Sequence, residues 1–336
     1  MQKIARSSGS HRIRTGYARW VKRSRKQRSG AGSGTLLWCR LRLDFVCCPL
    51  NNTGTRCDLN ERTSLMLPNS SFFPHPGYRT LLGYPVGEEA IIAQRFACLK
   101  QLGITSLTQH GTTQLLNVPV LGYGYCGVVI SGQHHGHPVA IKLRRLDCRQ
   151  TDLRNEARLL QQANSVGIGP RLHAHSDDIL VMEQLSGVPL ATWLNVSRSG
   201  EELRNQLGQM VQQGYVLDCL GLDHGALRYP GEHVLIDNGR ITLIDFSHAS
   251  DQRRPNNVTS LVQGLLWGTR LAEMFQLGLD LPSQEELRPL LRAYKQQPEQ
   301  GPFVALCQKL GIAADGSAAV GGCAVTGKQL SNSVHL

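Results

Sequence analysis

Three glycines and one lysine near the middle of the chain have the types and spacing to hold nucleotide phosphates. Gly122, Gly124 and Gly127 form G-x-G-x-x-G with Val129 behind them, and VAIK places Lys142 on the next apolar run. A glycine-rich hairpin can lay its backbone N–H groups against phosphates because no Cβ blocks the approach. Dinucleotide sites share the pattern but need a helix directly after it, whereas a second β-branched run follows here. The alternative is a glycine-rich turn in an unrelated sheet.

Two carboxylates later in the chain could complete a site for ATP and Mg²⁺. Glu156 lies in a predicted helix, from which it could hold the Lys142 ammonium toward the phosphates. A solvated surface glutamate is the alternative. Asp245 follows two apolar residues at the predicted end of a strand, where a carboxylate can hold Mg²⁺ that bridges the phosphates. The alternative for Asp245 is a strand-end aspartate that starts a turn.

The segment VMEQLSG is expected to line the adenine base. It leaves a predicted strand and enters a glycine-containing turn. In kinases the backbone at this place pairs with the edge of the adenine. The remaining residues that we assign to nucleotide binding are Ala140, Met182, Glu183 and Leu185.

The predicted elements run from strands to helices, which indicates an α+β fold with two lobes. Strand-like runs precede the glycine hairpin, and a later strand pair, HVLID and ITLIDF, flanks the turn Asn238-Gly239, a strong hairpin signal. Ser283 and Glu286 form a capping box. We expect a bilobal protein-kinase-like fold with a β-rich N-terminal lobe over 81–182 and a compact helical lobe over 183–300. Helices are predicted over 88–102, 151–163, 201–220, 258–277 and 284–296.

The basic charge of the chain is confined to its first 45 residues. They hold 12 Lys/Arg and one acidic residue, Asp44, and the remaining 24 basic and 24 acidic residues balance. Composition predicts a disordered basic tail and linker over 1–65 and a flexible tail over 312–336. The Asn/Thr/Pro-rich residues 46–80 are expected to be a linker.

Three interpretations of the basic segment stay open. It could bind nucleic acid through its charge, it could be an organelle transit peptide, or translation could begin at Met66. Nucleic acid is therefore an expected partner only if the segment belongs to the working protein. No run has the uninterrupted apolar length of a membrane span, so we expect a cytoplasmic protein without a membrane partner.

The ten cysteines do not indicate a zinc site, because the sequence contains no C-x-x-C pair. We expect them to be small buried residues in a reducing compartment. Cys126 is the exception, since it falls within the glycine-rich loop, where a thiol could be reactive or regulatory.

With these residues, the chain resembles a family of predicted serine/threonine protein kinases of archaea and cyanobacteria that is distantly similar to RIO-type kinases. The resemblance runs from about Leu81 to Tyr294. Its most specific stretches are IKLRRLD, ANSVGIGPRL, LDHGAL, EHVLI, IDFSHAS and NNVTSLVQ. It implies a protein-kinase-like fold that binds ATP and Mg²⁺.

The catalytic loop departs from the pattern of compact RIO-like kinases, H-x-D-L-x-x-x-N. In LDHGALRYPGEHVLI, His224 matches, but Ala226 stands where the general-base aspartate belongs. His233 is the match for the metal-binding asparagine, after an interval two residues longer, and the resembling family also has a histidine near that position. We assign Asp223 and His224 to catalysis, with Glu232 as another candidate, and Asp245 and His233 to the metal.

The leading hypothesis is an ATP- and Mg²⁺-dependent kinase that phosphorylates a hydroxyl of a protein or small molecule. Loss of a general base typically lowers the rate about 10²–10⁴-fold, but phosphoryl transfer rests mainly on positioning and charge neutralisation. A nucleotide-binding pseudokinase that acts as regulator or scaffold is the alternative, and a nucleic-acid binder is a third. Only a short run separates Asp245 from the helix predicted near Asn257, so a peptide substrate cannot be assumed.

Overall fold

A computed structural model describes residues 71–314 of the chain. The predictions for 1–65, for the linker before residue 71 and for the tail after residue 314 lie outside these residues. Within 71–314, no helix combines the length and apolar character needed to span a membrane.

The N-terminal lobe is built on an antiparallel sheet. The strands of this lobe are β1 (Ile104–Thr108), β2 (Thr113–Leu115), β3 (Val118–Val120), β4 (Gly122–Tyr123), β5 (Gly127–His134), β6 (His137–Arg144), β7 (Leu172–His175) and β8 (Ile179–Glu183). Six of them form the sheet: five pair in the order β1-β5-β6-β8-β7, and β4 also pairs with β5, while β2 and β3 form a separate hairpin.

The hairpin predicted after the glycines is confirmed as β5–β6. His135 and Gly136 turn the chain with φ of 50° and 80°, the left-handed pair that a two-residue hairpin needs. The register pairs Val129 with Lys142, and the next strand pairs Ala140 with Met182. Because β6 lies inside the sheet, most of its residues are buried.

Three helices accompany this sheet, and one of them corrects a prediction. α2 (Glu89–Gln101) falls within the helix predicted over 88–102, and α3 (Arg154–Asn164) begins three residues after and ends one residue beyond the helix predicted over 151–163. The linker assignment is wrong over 71–80, because α1 (Pro76–Leu81) begins there. Phe72, Phe73 and Tyr78 are buried, and Phe72 meets Phe96 of α2 edge to face at 4.9 Å between ring centroids. The burial of these aromatic side chains makes the segment part of the folded lobe, although the prolines and the glycine around them are typical of a linker.

The C-terminal lobe is mainly helical, with one small antiparallel sheet in the order β11-β10-β9. Its strands are β9 (Val188–Pro189), β10 (Val234–Asp237) and β11 (Arg240–Leu243). Its helices are α4 (Leu190–Trp193), α5 (Gly200–Cys219), α6 (Asn257–Leu266), α7 (Arg270–Gly278), α8 (Gln284–Gln296) and α9 (Gln300–Leu310). The predicted α+β, two-lobed architecture is therefore confirmed.

Several local predictions for this lobe are confirmed, and two need correction. The Asn238-Gly239 turn and the Ser283–Glu286 capping box are present. The helix predicted over 258–277 is two helices, because the chain turns at Gly268 with φ of 67°. The helix α9 was not predicted. It buries Phe303, whose ring stacks on Tyr215 of α5 at 3.9 Å.

Candidate nucleotide site

Lys142 lies between two carboxylates that come from different parts of the chain. Its Nζ is 2.6 Å from Oε1 of Glu156 on α3 and 2.9 Å from Oδ1 of Asp245, which follows β11. The side chains of Lys142 and Glu156 are 7% and 5% exposed, whereas that of Asp245 is 40% exposed. The cluster therefore has a buried inner pair and one carboxylate that reaches solvent.

The Lys142 ammonium favours the charged form of both carboxylates, although burial holds the pKa of Glu156 above its usual value. Burial lowers the pKa of Lys142, but Glu156 and Asp245 outweigh it and hold that pKa above its usual value. Partial desolvation raises the pKa of Asp245, but the Lys142 ammonium outweighs it and holds that pKa below its usual value. With all three groups ionised, the cluster has one excess negative charge, which favours an added cation.

Asp245 has a left-handed backbone conformation that the sequence did not predict. The strand predicted to run into it ends at Leu243, and Asp245 has φ of 66° in the left-handed region. Its Oδ1 also accepts a hydrogen bond from the N–H of Ser247 at 3.4 Å. Non-glycine residues rarely adopt this region, and such residues concentrate at functional sites. The bend lets the carboxylate reach Lys142.

The glycine-rich loop connects β4 to β5. Gly124 donates its N–H to the carbonyl of Gly127 at 2.9 Å. A Cβ at Gly127 would lie 3.0 Å from Cε of Lys142, whereas a Cβ at Gly122 or Gly124 would have no heavy atom within 4 Å. Of the three loop glycines, only Gly127 is therefore closely packed against its neighbours.

Arg145 holds the glycine-rich loop through two hydrogen bonds, a role that we did not predict. Its Nη1 donates to the carbonyl of Gly124 at 3.0 Å, and its backbone N–H donates to the carbonyl of Cys126 at 3.0 Å. The guanidinium is itself held by both carboxylate oxygens of Asp147, at 2.9 and 2.7 Å, and lies over the ring of Tyr84. Arg145 is thus a preorganised anchor for the loop.

The residues predicted to line the adenine follow the register of β6 and β8. Met182 and Ala140 are buried and directly paired. The carboxylate of Glu183 accepts the backbone N–H of Arg171 at 3.1 Å, and Leu185 follows β8 half-buried. The side chain of Glu183 therefore holds the backbone of Arg171, which leaves only the backbone of Glu183 for the predicted contact with a base.

The two residues assigned to catalysis have structural partners. The carboxylate of Asp223 accepts hydrogen bonds from the Arg253 side chain and from the backbone N–H of Asn256, the latter at 3.2 Å. Nε2 of the buried His224 lies 3.1 Å from the carbonyl of Ile244, so this nitrogen carries the proton. Burial and the neighbouring His233 lower the pKa of His224 to about 4. Asp223 would have to weaken these bonds to accept a proton from a substrate, whereas Nδ1 of His224 is buried without a hydrogen-bond partner among the described residues.

His233 and Ala226 are the other two residues of the catalytic loop at positions where kinases have functional side chains. His233 accepts the backbone N–H of Ile244 at 2.9 Å through its carbonyl, and its ring lies 5.8 Å from that of His224. Burial lowers the pKa of His233, and Asp245 opposes this shift. Ala226 accepts the N–H of Tyr229 through its carbonyl, and its methyl group has no acid–base chemistry.

A buried network that the sequence did not reveal holds the catalytic loop. Oδ1 of Asn257 accepts the N–H of His224 at 2.9 Å, and its Nδ2 donates to the carbonyl of Leu222 at 2.7 Å and to Asp218 at 2.8 Å. Tyr294 donates to the other Asp218 oxygen at 2.8 Å. Asn257 belongs to the stretch NNVTSLVQ, which the resemblance had marked, but no local pattern gives its partners.

Residues 129–264 match the family model of the RIO domain. The match includes Lys142, Glu156 and Asp245 and begins at Val129, so the three glycines lie just before it. It confirms the resemblance to RIO-type kinases and the kinase-like fold. No curated protein matches the chain.

Proposed function

We propose that this protein, whose residues 129–264 match the family model of the RIO domain, binds ATP with Mg²⁺ and transfers the γ-phosphoryl group to a hydroxyl. The observation that carries the proposal is the position of Lys142 between Glu156 and Asp245. A buried ammonium with one buried and one exposed carboxylate suits a phosphate contact beside a metal ligand. The match to the RIO domain supports ATP binding in general, and the transfer reaction is part of the proposal.

Each element of the cluster has a part in nucleotide binding. Glu156 keeps the ammonium of Lys142 directed into the cleft, where it meets the α- and β-phosphates. Backbone N–H groups of the loop at Gly122 and Gly124 approach the phosphates, because the space that a Cβ would fill is open there. Arg145 keeps this loop in place. The adenine lies against Ala140, Met182 and Leu185.

The residues present fit Mg²⁺ at Asp245 better than at His233. Mg²⁺ takes oxygen ligands, commonly one or two carboxylates plus substrate phosphates and water, and Asp245 offers an exposed carboxylate. An imidazole nitrogen suits transition metals better, so the metal role assigned to His233 has weaker chemical support. Among residues 71–314, no group of three or more His, Cys, Asp or Glu side chains is placed to hold a metal. The ion would supply neutralisation of the phosphate charge.

Transfer is expected to be slow, because Ala226 stands in the position of the general base and its methyl group cannot accept the proton of the attacking hydroxyl. Asp223 remains the nearest acidic candidate, but it is held by Arg253 and Asn256. Positioning and charge neutralisation contribute most of the catalysis in phosphoryl transfer, so a low rate is compatible with the site. The acceptor is a hydroxyl of a protein or small molecule.

A second function, that of a pseudokinase, is supported by Ala226 and by the hydrogen bonds that hold Asp223 to Arg253 and Asn256. A pseudokinase would bind nucleotide through Lys142 and Asp245 and use the occupied domain as a regulator or scaffold, without transfer. This function needs the same nucleotide site and differs only in turnover.

One sample tests both functions. ATP binding is measured with and without Mg²⁺ on wild type, Lys142→Met and Asp245→Asn, followed by release and transfer of labelled γ-phosphate. We expect binding that Mg²⁺ strengthens, that Lys142→Met weakens and that no longer responds to Mg²⁺ in Asp245→Asn. Binding with slow transfer supports the kinase, and binding without transfer supports the pseudokinase. Equal binding by all three proteins would refute the site.

A further inference from the structure

Two cysteines from different loops lie near each other, since both are hydrogen-bonded to the backbone of Arg145. Cys126 lies in the glycine-rich loop between β4 and β5, and Cys148 lies in the turn that follows β6. Cys126 is buried and Cys148 half-buried, both as free thiols. The Cys148 thiol, Lys142 and Asp245 lie close enough to Cys126 to affect the pKa of its thiol.

One residue holds the backbone on both sides of this pair. Arg145 donates its N–H to the carbonyl of Cys126 at 3.0 Å and accepts the N–H of Cys148 at 3.2 Å. The backbone N–H of Gln150 points to Sγ of Cys148 at 3.4 Å. A disulfide needs the backbones close before the bond forms, and these hydrogen bonds hold the two segments together.

We propose that Cys126 and Cys148 form a reversible disulfide that fastens the glycine-rich loop to the turn at 145–148 and blocks access to the nucleotide site. The consequence for nucleotide binding rests on the proposed function, in which the loop covers the phosphates. The disulfide itself does not depend on that function.

A peroxide is the oxidant that the reaction requires. The more accessible Cys148 attacks the peroxide as thiolate, so that an S–O bond forms, the O–O bond breaks and the alcohol or water leaves with a proton. The sulfur of Cys126 then attacks the sulfenic acid, the S–S bond forms, the S–O bond breaks, and water leaves with the Cys126 proton. Burial and the contact with Cys148 raise the pKa of Cys126 to about 12, which makes Cys148 the first sulfur to react.

The disulfide would act on the groups that bind the phosphates. The loop lies so close to Lys142 that a Cβ on Gly127 would touch its side chain at 3.0 Å. Gln150, which donates to Cys148, also donates to the carbonyl of Ser247 at 3.0 Å, two residues after Asp245. A covalent link at Cys148 therefore restrains both sides of the cleft, and the loop can no longer lift to admit a nucleotide.

The test uses the full chain, reduced and then treated with hydrogen peroxide. Non-reducing peptide mapping locates disulfides, and a fluorescent ATP analogue with Mg²⁺ reports affinity before oxidation, after it and after dithiothreitol. Cys126→Ser and Cys148→Ser are compared with Cys98→Ser, a half-buried cysteine on α2. We expect a peptide joining Cys126 to Cys148 in wild type and Cys98→Ser, and at least about a tenfold loss of affinity that dithiothreitol reverses.

Neither serine variant of the pair should lose affinity for the analogue on treatment with peroxide, and Cys148→Ser should bind it like reduced wild type. Absence of the joined peptide overturns the disulfide, and its presence without a change in affinity overturns its effect on the site. If reduced wild type binds no nucleotide, the proposed function fails, and the peptide map alone decides the disulfide.

Discussion

The ammonium of Lys142 lies 2.9 Å from the carboxylate of Asp245, although 103 positions separate the two residues. Lys142 stands on the sheet of the N-terminal lobe, and Asp245 follows the small sheet of the C-terminal lobe. The ion pair therefore joins the lobes across the cleft. ATP with Mg²⁺ would take over both partners, since phosphates would meet the ammonium and the metal would meet the carboxylate.

Replacing Lys142 should affect stability as well as nucleotide binding. Lys142→Ala leaves Glu156 buried without its counter-charge, and breaking a buried pair typically costs about 3–5 kcal/mol. The lost pair with Asp245 contributes less, because its carboxylate is partly exposed to solvent. We expect a lower free energy of unfolding in urea and no thermal stabilisation by ATP with Mg²⁺.

Lys142→Met with Glu156→Gln is the matched control, because it removes both buried charges. The double variant should recover much of the stability and still fail to bind ATP. If it is as unstable as Lys142→Ala, the buried charge is not the cause. If Lys142→Ala keeps the full ATP-induced stabilisation, Lys142 does not contact the nucleotide.

Acid should weaken the fold through His224. In the unfolded chain a histidine takes up a proton below about pH 6.5, whereas burial keeps folded His224 neutral down to a pKa of about 4. The unfolded state therefore binds more protons in this window, and stability falls as the pH drops from 6.5 to 4, by up to about 3 kcal/mol.

Urea unfolding of wild type and His224→Gln at pH 7 and pH 5 measures this effect. The glutamine amide can still donate to the carbonyl of Ile244, but it does not titrate. Its loss of stability between the two pH values should be smaller than that of wild type, though not zero, because burial also lowers the pKa of His233. Equal losses in the two proteins would contradict the assignment.

The sequence predicted those parts of the site that local patterns encode. Gly127 and Lys142 follow from spacing along one hairpin, and β5–β6 places them together. The partners of Asn257 were not predictable, because Asp218 reaches it from another helix and is itself held by Tyr294 from a third. The anchor at Arg145 was missed for a similar reason, since a charged residue after a strand suggests solvent. Here its guanidinium bonds a carbonyl of the glycine-rich loop.

Two truncations test where the N-terminal lobe begins. Residues 71–314 contain two apolar cores, and one of them includes Phe72, Phe73 and Tyr78. We expect a protein starting at Met66 to melt at the temperature of the full chain. A protein starting at Leu81 should melt markedly lower, since burying each large aromatic side chain contributes about 1.5–3 kcal/mol. A clear loss of stability in the first truncation would show that residues 1–65 contribute to the fold.

The last prediction concerns Ala226, where the catalytic loop departs from the kinase pattern. A methyl group neither accepts a proton nor orients a hydroxyl, so wild type should transfer phosphate slowly or not at all. Ala226→Asp adds a carboxylate at this position and should leave ATP binding intact. If the rest of the site is competent, transfer should rise by up to the roughly 10²–10⁴-fold that a placed base contributes.

Ala226→Asn is the matched control, because asparagine has nearly the same shape and cannot act as a base. Transfer of labelled γ-phosphate should rise in Ala226→Asp and stay low in Ala226→Asn. An equal rise in both would mean that the longer side chain acts by positioning, without proton transfer. If wild type already turns over at ordinary kinase rates and Asp223→Asn leaves them unchanged, the alignment of this loop is wrong. Since Asp223 binds Arg253 and Asn256, its variant also needs an unfolding measurement, so that a fall in rate is not mistaken for lost fold.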